Sequence, residues 1–240
     1  MTTDQSQQPD RHREWRMYAT ASDTNQTGNG VYERVKARVI AHDLPVGKRI
    51  SIEPLADQLF VSSTPVREAL IRLSAEHVIQ GVPKSGFFIK EISETEIRDL
   101  YALQHLLLNW ALSNIRDNGF TPGILKPPNL SAEMGKKGDM PSHIAVNLAN
   151  TLFLHIARQS GNTDVIRIIN NINDRTHYIC DRDFTTFTDL THATLQLCDT
   201  YYKKEFDSLH EGLRVYFHQK AERLPKLLKV LRGDFIKGSG

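Results

Sequence analysis

A segment from Leu55 to Ser93, LADQLFVSSTPVREALIRLSAEHVIQGVPKSGFFIKEIS, limits the possible folds more than any other feature of the sequence. It opens with a short helical pattern and continues, after a polar break, with a longer helical pattern. A period-two run with a turn inside it follows. This order predicts two helices joined by a tight connection and then a β-hairpin.

Three helices are predicted before the hairpin. The first ends near His42 and has its apolar residues on one stripe, namely Val31, Val35, Val39 and Ile40. Ser51 is placed to cap the second helix and Ser62 the third, because a hydroxyl there can accept a hydrogen bond from a free backbone N–H. The buried stripe of the third helix is expected to consist of Val66, Ala69, Leu70 and Leu73.

The hairpin is expected to begin at Val78, to turn at PKSG and to resume at Phe87. Gly86 would close this turn, which we predict to be of type I. Lys84 then lies at the tip, where Gly86 exposes its backbone. Such a tip can lie against a DNA minor groove or against the phosphates that border it.

The third helix begins with small polar residues and one arginine: Ser62, Ser63, Thr64 and Arg67. A DNA major groove admits one helix, and a guanidinium pairs well with guanine O6 and N7. Each residue has an ordinary alternative, since Ser62 can be only an N-cap, Arg67 a surface cation and Lys84 a solvated turn residue. Their occurrence together with the hairpin favours a winged helix-turn-helix that binds DNA.

These residues also resemble a known family. The segments LADQLFVSSTPVREALIRLSAEHVI and VPKSGFFI are similar to the winged helix-turn-helix of GntR-family transcriptional regulators, over about residues 31–93. The resemblance implies operator contacts by Ser62, Ser63, Thr64, Arg67, Lys84 and Gly86. Ser63 stands where the family usually has arginine, Phe60 replaces its customary glycine, and EHV, with His77, replaces EGL. The missing arginine removes a strong base or phosphate contact.

The rest of the chain reads as a helical domain. SETE at the start, Ser93 to Glu96, is a capping box for a helix. The body of this helix, Ile97 to Ile115, is apolar on most sides and is therefore expected to lie within a core. Residues 118–141 are expected to form a long loop. Helical patterns resume at about 142–160, 163–182, 186–204 and 205–232, with SGN at 160–162 between the first two.

This helical part resembles the ligand-sensing FCD domain of the FadR-type subfamily, on the segments EISETEIRDLYALQ and FLHIARQSGN. The resemblance implies that many relatives bind a divalent metal through one Asp and three His, beside an organic acid. The candidates for such a metal site here are His155, His192 and His210. Counted back from SGN, however, the family's Asp and His positions fall on Ala149 and Phe153, and its arginine position falls on Gln104.

A pocket without a metal is therefore favoured over a divalent metal site, and no cofactor is expected. Its polar lining is predicted to come from Gln104, Asn147, Asn150, Thr151, His192 and His210. Polar residues on bundle helices are also often solvated or capping, so each of these residues has that alternative.

Composition sets the broad class of protein. Of the 240 residues, 40% are hydrophobic and 24% are charged, as in ordinary globular domains. Residues 1–29 offer little to bury and are expected to be a disordered tail, and 234–240 a flexible C-terminus. No run suits a signal peptide or membrane span. Cys180 and Cys198 form neither a CxxC motif nor a disulfide framework, so a reducing cytoplasm is expected.

These observations predict a mainly α protein with a winged helix-turn-helix at 30–93 and an all-α helical bundle for effector binding and dimerisation at 94–233. The predicted function is a metabolite-responsive repressor that binds a palindromic operator as a homodimer. One alternative is a metal-dependent enzyme or metal sensor that uses His155, His192 and His210. In another, the winged domain serves protein contact and the helical domain only dimerises. No other catalytic motif is found, so no enzymatic activity is expected.

Overall fold

The computed structural model describes residues 28–44, 46–118 and 140–237. The predicted tail before residue 28, most of the predicted loop at 118–141 and the last three residues lie outside these ranges. The chain divides into two compact units between Glu91 and Ile92, and each unit has its own hydrophobic core. Within the described ranges, no helix is long and apolar enough to cross a lipid bilayer.

The first unit contains three helices and a two-stranded antiparallel hairpin. These elements are α1 (Gly28–Ile40), α2 (Ile52–Leu59), α3 (Ser63–Ala75), β1 (Gln80–Val82) and β2 (Gly86–Phe88). The predicted stripe of α3 is confirmed, because Val66, Ala69, Leu70 and Leu73 are all buried. α1 also places its predicted apolar residues Val31, Val35 and Val39 in this core. The winged helix-turn-helix architecture is therefore confirmed.

The starts of α2 and α3 differ from the prediction in one detail. Ser51 and Ser62 occupy the N-cap positions with extended backbone, but neither side chain forms a capping hydrogen bond. The cause lies three residues further on, where Pro54 and Pro65 stand. Proline has no backbone N–H, so each helix lacks one of the two donors that a capping side chain normally uses.

The turn of the hairpin is not of type I. The Ser85 N–H donates to the Val82 carbonyl at 3.0 Å, so Pro83 and Lys84 are the central residues. Lys84 has a φ of 64°, and a positive φ at the third position defines a type II turn. Proline at the second position favours this type. Gly86 follows the turn with a φ of 106° and pairs with Val82 at the end of the ladder.

The second unit is a bundle of helices, in the described residues α4 (Glu94–Asn118), α5 (Ser142–Gln159), α6 (Thr163–Thr186), α7 (Asp189–Tyr202) and α8 (Phe206–Lys237). α4 packs on α5 and α8, α5 on α6, and α7 on α8. The predicted boundary at SGN is confirmed: Asn162 caps α6 by accepting hydrogen bonds from the N–H groups of Asp164 and Val165. The Ser93 hydroxyl likewise accepts from the Glu96 N–H at the start of α4.

The prediction that α4 lies entirely within the core is wrong for one face. Leu108 and Leu112 are buried, but three large apolar side chains are exposed: Leu103 at 40%, Leu106 at 64% and Trp110 at 43%. They are three and four residues apart and so form one stripe along the helix. The described helices cover only the opposite side of α4. We call these three residues the α4 stripe.

Candidate nucleic-acid interface and the interior of the helical unit

The first turn of α3 presents its polar residues to solvent. Ser62, Ser63, Thr64 and Arg67 are all exposed, while the opposite face of α3 is held in the core. Because of the proline at the third position, the Ser62 hydroxyl is not used as a cap. The turn thus offers three hydroxyls, a guanidinium and the positive end of the helix dipole to an outside partner.

The arginines of the first unit fall into two groups. Arg34 donates to the Leu59 carbonyl at 2.7 Å, Arg38 donates to Gln58, and Arg72 pairs with Glu76 at 3.0 Å. The side chains of Arg49 and Arg67, in contrast, are exposed and form no hydrogen bond or ion pair within the described part of the chain. Two guanidinium groups are therefore free to meet an anionic partner.

The wing supplies a further cation at its tip. Lys84 and Ser85 are exposed, and Lys84 also has no partner among the described residues. Gly81 in β1 lies so close to α3 that a Cβ on it would be 2.4 Å from the Ser74 hydroxyl oxygen. The wing and the recognition helix α3 are thus packed directly on each other, which fixes the wing relative to α3.

The predicted pocket residues of the helical unit come together only in part: Gln104 and Asn150 meet at Asn173, whose side-chain amide donates to the Asn150 carbonyl at 3.5 Å. Gln104 is buried and its side-chain amide donates to the Asn173 side chain at 2.7 Å. Asn147 and Asn150 are half-buried on α5. Thr151, His192 and His210 are exposed. In the single chain these last three side chains therefore face solvent, away from the buried Gln104.

The proposed histidine triad gains no support from the structure. In the described ranges no group of three His, Cys, Asp or Glu side chains is placed to hold a metal ion. The family's histidine position, Phe153, is filled by an aromatic ring that packs edge-on against Tyr216 at 5.9 Å between centroids. Phe217 lies against the same ring at 5.5 Å. Burial lowers the pKa of His155, which lies half-buried on α5.

A buried polar stripe runs along α6 and was not found from the sequence. It consists of Asn173, Thr176, Cys180 and Asp183. Its members are three, four and three residues apart, which is the spacing of a helix face. This spacing is the signal in the sequence that indicates the stripe.

Lys220 of α8 meets this stripe in the interior. Its side chain is only 3% exposed, and its ammonium donates to the Cys180 sulfur at 2.9 Å. The ammonium also lies 4.5 Å from the centre of the Tyr101 ring. Burial raises the pKa of Asp183 to about 6, and its Oδ1 atom has no hydrogen-bond partner among the described groups. A buried cation and an unsatisfied carboxyl are costly to retain.

Sequence comparisons show which known proteins this chain is similar to. Residues 27–89 match the family model "Bacterial regulatory proteins, gntR family". The Nta operon transcriptional regulator of Aminobacter aminovorans is 25% identical over 139 residues, 58% of this chain and 66% of that protein. McbR of Escherichia coli K12 is 31% identical over 110 residues, 43% of this chain and 48% of the relative. The matched segments thus span at most about two thirds of these relatives.

Solved structures agree with the fold. E. coli McbR/YncC superposes with a TM-score of 0.59 at 17% identity, over 83% of this chain and 97% of that chain. A GntR transcriptional regulator from Rhodococcus sp. RHA1 gives the same TM-score at 16% identity and the same coverage. At these identities the likeness concerns the fold alone.

The exposed turn of α3, the packed wing and the free cations define a winged helix-turn-helix of the class found in DNA-binding transcriptional regulators. Over residues 27–89 this chain is therefore similar to the gntR family of bacterial regulatory proteins.

Proposed function

We propose that this protein is a transcriptional repressor that binds a palindromic operator as a homodimer and responds to a small-molecule effector. The observation that carries the DNA-binding part is the first turn of α3, where an unpaired Arg67 and three hydroxyls face solvent. Relatives described as transcriptional regulators support it. The protein acts in the cytoplasm, where both its buried cysteines stay free.

In this function, α3 enters the major groove with its first turn. Arg67 pairs with a base edge, and Ser62, Ser63 and Thr64 donate to phosphates or bases. The wing tip places the exposed Lys84 side chain on the phosphate backbone, and the half-buried Gly86 lies next to it at the end of the turn. Ser63 gives a weaker contact than the arginine usual at this position, so Arg67 carries a larger share of base recognition.

Replacing Arg67 with alanine is expected to weaken operator binding by about 1 to 3 kcal/mol and to relax base choice at one position. The cause is the loss of the two parallel hydrogen bonds that a guanidinium makes to guanine. A gel-shift titration at fixed salt measures the change. Arg67→Lys is the matched control, because it keeps the charge and the salt dependence but loses the base preference. Unchanged binding by Arg67→Ala contradicts the assignment.

Replacing Lys84 with alanine is expected to weaken binding to operator and to random duplex by the same factor. A phosphate contact carries no sequence information, and its loss reduces the slope of log K against log salt by about one. Titrations at several salt concentrations measure this slope for both duplexes. A loss confined to the operator would show that Lys84 reads a base instead.

The homodimer rests on the α4 stripe. Three large apolar side chains on one helix face form a surface that a monomer rarely exposes, and a second copy of the chain can cover it with the same surface. A two-fold pair of winged domains then reads two half-sites on one palindrome, about one helical turn or a multiple of it apart.

Replacing Leu106 with glutamate is expected to raise the dimer dissociation constant by more than about tenfold, since a carboxylate would be buried between two apolar surfaces. Sedimentation velocity over a range of concentrations measures it. Tyr202→Glu is the control, because Tyr202 is 64% exposed, as Leu106 is, but lies on α7. Equal effects of the two variants on the dimer dissociation constant would show that the α4 stripe is not part of the interface.

The effector site lies in the interior of the helical unit. A small organic acid suits the interior of the helical unit, because Lys220 is a buried cation that forms no salt bridge with any described residue. Three residues of the predicted lining are buried or half-buried in this unit: Gln104 on α4, and Asn147 and Asn150 on α5. The exposed His192 and His210 have no part in it. The resemblance to the FCD domain supports this assignment.

The function is tested by selecting bound sequences from a pool of random duplexes with the full chain, and by repeating the selection with candidate organic acids. A repressor of this kind enriches a palindrome, and an effector changes the yield of bound duplex. Failure to enrich any duplex, at low and at moderate salt, would contradict the proposal and favour protein contact by the winged unit.

A further inference from the structure

The segment before α2 forms part of the wing. The Ile50 N–H donates to the Phe87 carbonyl at 2.8 Å, and the Ile89 N–H donates to the Lys48 carbonyl at 3.3 Å. Arg49, between them, pairs with Phe88 across an antiparallel bridge. The backbone of Arg49 is therefore held against β2 like a short third strand, and its side chain starts from a fixed position.

The side chain of Arg49 lies along β2 towards the tip of the wing and ends on Gly86. A Cβ atom on Gly86 would be 2.9 Å from Nε, 3.5 Å from Nη2 and 3.6 Å from Cζ of Arg49. The guanidinium group thus lies directly against the backbone of Gly86. The φ of 106° favours glycine there, and any Cβ at this position would also displace the guanidinium group of Arg49.

The side chain of Arg49 shares the electrostatic setting of Arg67. Three other arginines, Arg34, Arg38 and Arg72, are bound to protein groups, whereas Arg49 is exposed and has no partner in the described part of the chain. Among the described residues no carboxylate forms an ion pair with it. A guanidinium that is placed by its backbone, backed by a glycine and left without a counter-ion is ready to bind an anionic or acceptor-rich partner.

We propose that Arg49 is the minor-groove reader of this protein and that its ligand is a narrow, A·T-rich minor groove beside the bases read by α3. The inference rests on the proposed function and extends it to the flanks of the operator. A B-form minor groove is about 6 Å wide, which admits one arginine side chain but no helix. A·T tracts narrow it and make its potential more negative, which favours arginine.

In this proposal Arg49 and Lys84 contact different parts of the DNA. Lys84 projects from the turn itself and contacts phosphates, whereas Arg49 lies on the surface of the wing, where Gly86 leaves room for it. The exocyclic amino group of guanine projects into the minor groove and would displace the guanidinium, so G·C pairs are excluded at these positions.

The test uses the full chain and the duplex that the wild-type chain enriches from a random pool. Flanking A·T pairs are replaced by G·C pairs, or by inosine·C pairs, which present the minor groove of A·T but the major groove of G·C. The proteins are wild type, Arg49→Ala, Arg49→Lys and the control Lys48→Ala. Lys48 is the adjacent exposed cation, and its loss removes the same charge.

The wild-type chain is expected to bind the inosine·C duplex within about twofold of the A·T duplex, and the G·C duplex about tenfold more weakly. Each Arg49 variant should bind all three duplexes with equal affinity. Lys48→Ala should keep the wild-type order of affinities for the three duplexes. Arg49→Lys keeps the positive charge. If this variant loses the preference for A·T over G·C duplexes, the preference comes from the guanidinium in the groove and not from attraction of a cation to the phosphates.

The inference is overturned if Arg49→Ala keeps the A·T preference, or if inosine·C harms wild-type binding as much as G·C does. An enriched palindrome without flanking A·T pairs also overturns it. In these three cases the wild-type chain still binds its operator, so the proposed function stands. If the wild-type chain enriches no duplex at all, the proposed function fails and this inference fails with it.

Discussion

Replacing Leu70 with alanine is expected to lower the free energy of unfolding of the first unit by about 2 to 5 kcal/mol. Leu70 is fully buried on α3, in a core that also contains Val66 and Leu73. The unit is small and cannot refill the cavity easily, so the loss is a large part of its total stability. Operator binding should fall in parallel, because the same helix carries Arg67 on its other face.

Urea unfolding, followed by circular dichroism and calorimetry, measures this change. Each unit has its own core, so we expect the Leu70 variant to shift one transition and leave the other in place. Leu213→Ala is the matched control, because Leu213 is equally buried in α8 and should shift only the second transition. A single transition that both variants shift equally would show that the two units unfold together.

Replacing Asp183 with asparagine is expected to stabilise the helical unit increasingly as the pH rises. Burial raises the pKa of Asp183 to about 6, although Lys220 and Arg223 act to lower it. The folded state therefore binds a proton that the unfolded state releases near pH 4. The stabilising contribution of the protonated carboxyl is complete below about pH 4 and is lost as the pH rises through about 6.

The expected change in the stability difference between Asp183→Asn and wild type is about 3 kcal/mol from pH 4 to pH 7, which corresponds to about two pKa units. Urea unfolding at several pH values measures it. Asp199→Asn is the control, since Asp199 is exposed on α7 and its replacement should change stability little at any pH. A difference for Asp183→Asn that does not vary with pH would contradict a buried, partly protonated carboxyl.

Much of the first unit could be predicted from the sequence, because its signals are local. The apolar stripe of α3 and the position of the hairpin follow from spacing and from the prolines. The turn type was predicted wrongly, because a type I turn has no positive φ, whereas Lys84 takes a φ of 64°. Phe60 and His77 stand at family glycine positions and keep the left-handed backbone, with φ of 53° and 59°. The fold thus tolerates a local cost of about 1 kcal/mol at each.

The helical unit is harder to predict from the sequence, because the position of its polar residues depends on how the helices are rotated against one another. The count from SGN placed Ala149 and Phe153 on α5, and both are buried there. His192 and His210 were predicted to line a pocket, whereas α7 and α8 turn them to solvent. Lys220 was missed for a related reason: a lysine on a helix is usually solvated, and only the packing of α8 against α6 buries it.

The exposed apolar surface of α4 is a third feature that the sequence pattern does not predict. Leu103, Leu106 and Trp110 make the helix apolar all round, which predicts full burial in one chain. The described residues leave these three side chains exposed. Sequence patterns report which surfaces must be covered, but they do not distinguish cover by the same chain from cover by a second copy.

Thiol alkylation of a Ser63→Cys variant tests most directly whether the first turn of α3 meets DNA. The two natural cysteines, Cys180 and Cys198, are buried, so the new thiol on an exposed turn should react first. We predict that the selected operator duplex slows alkylation at position 63 by about tenfold or more and leaves Ser208→Cys, on exposed α8, unchanged. Equal alkylation rates at position 63 with and without saturating duplex would contradict the role assigned to α3.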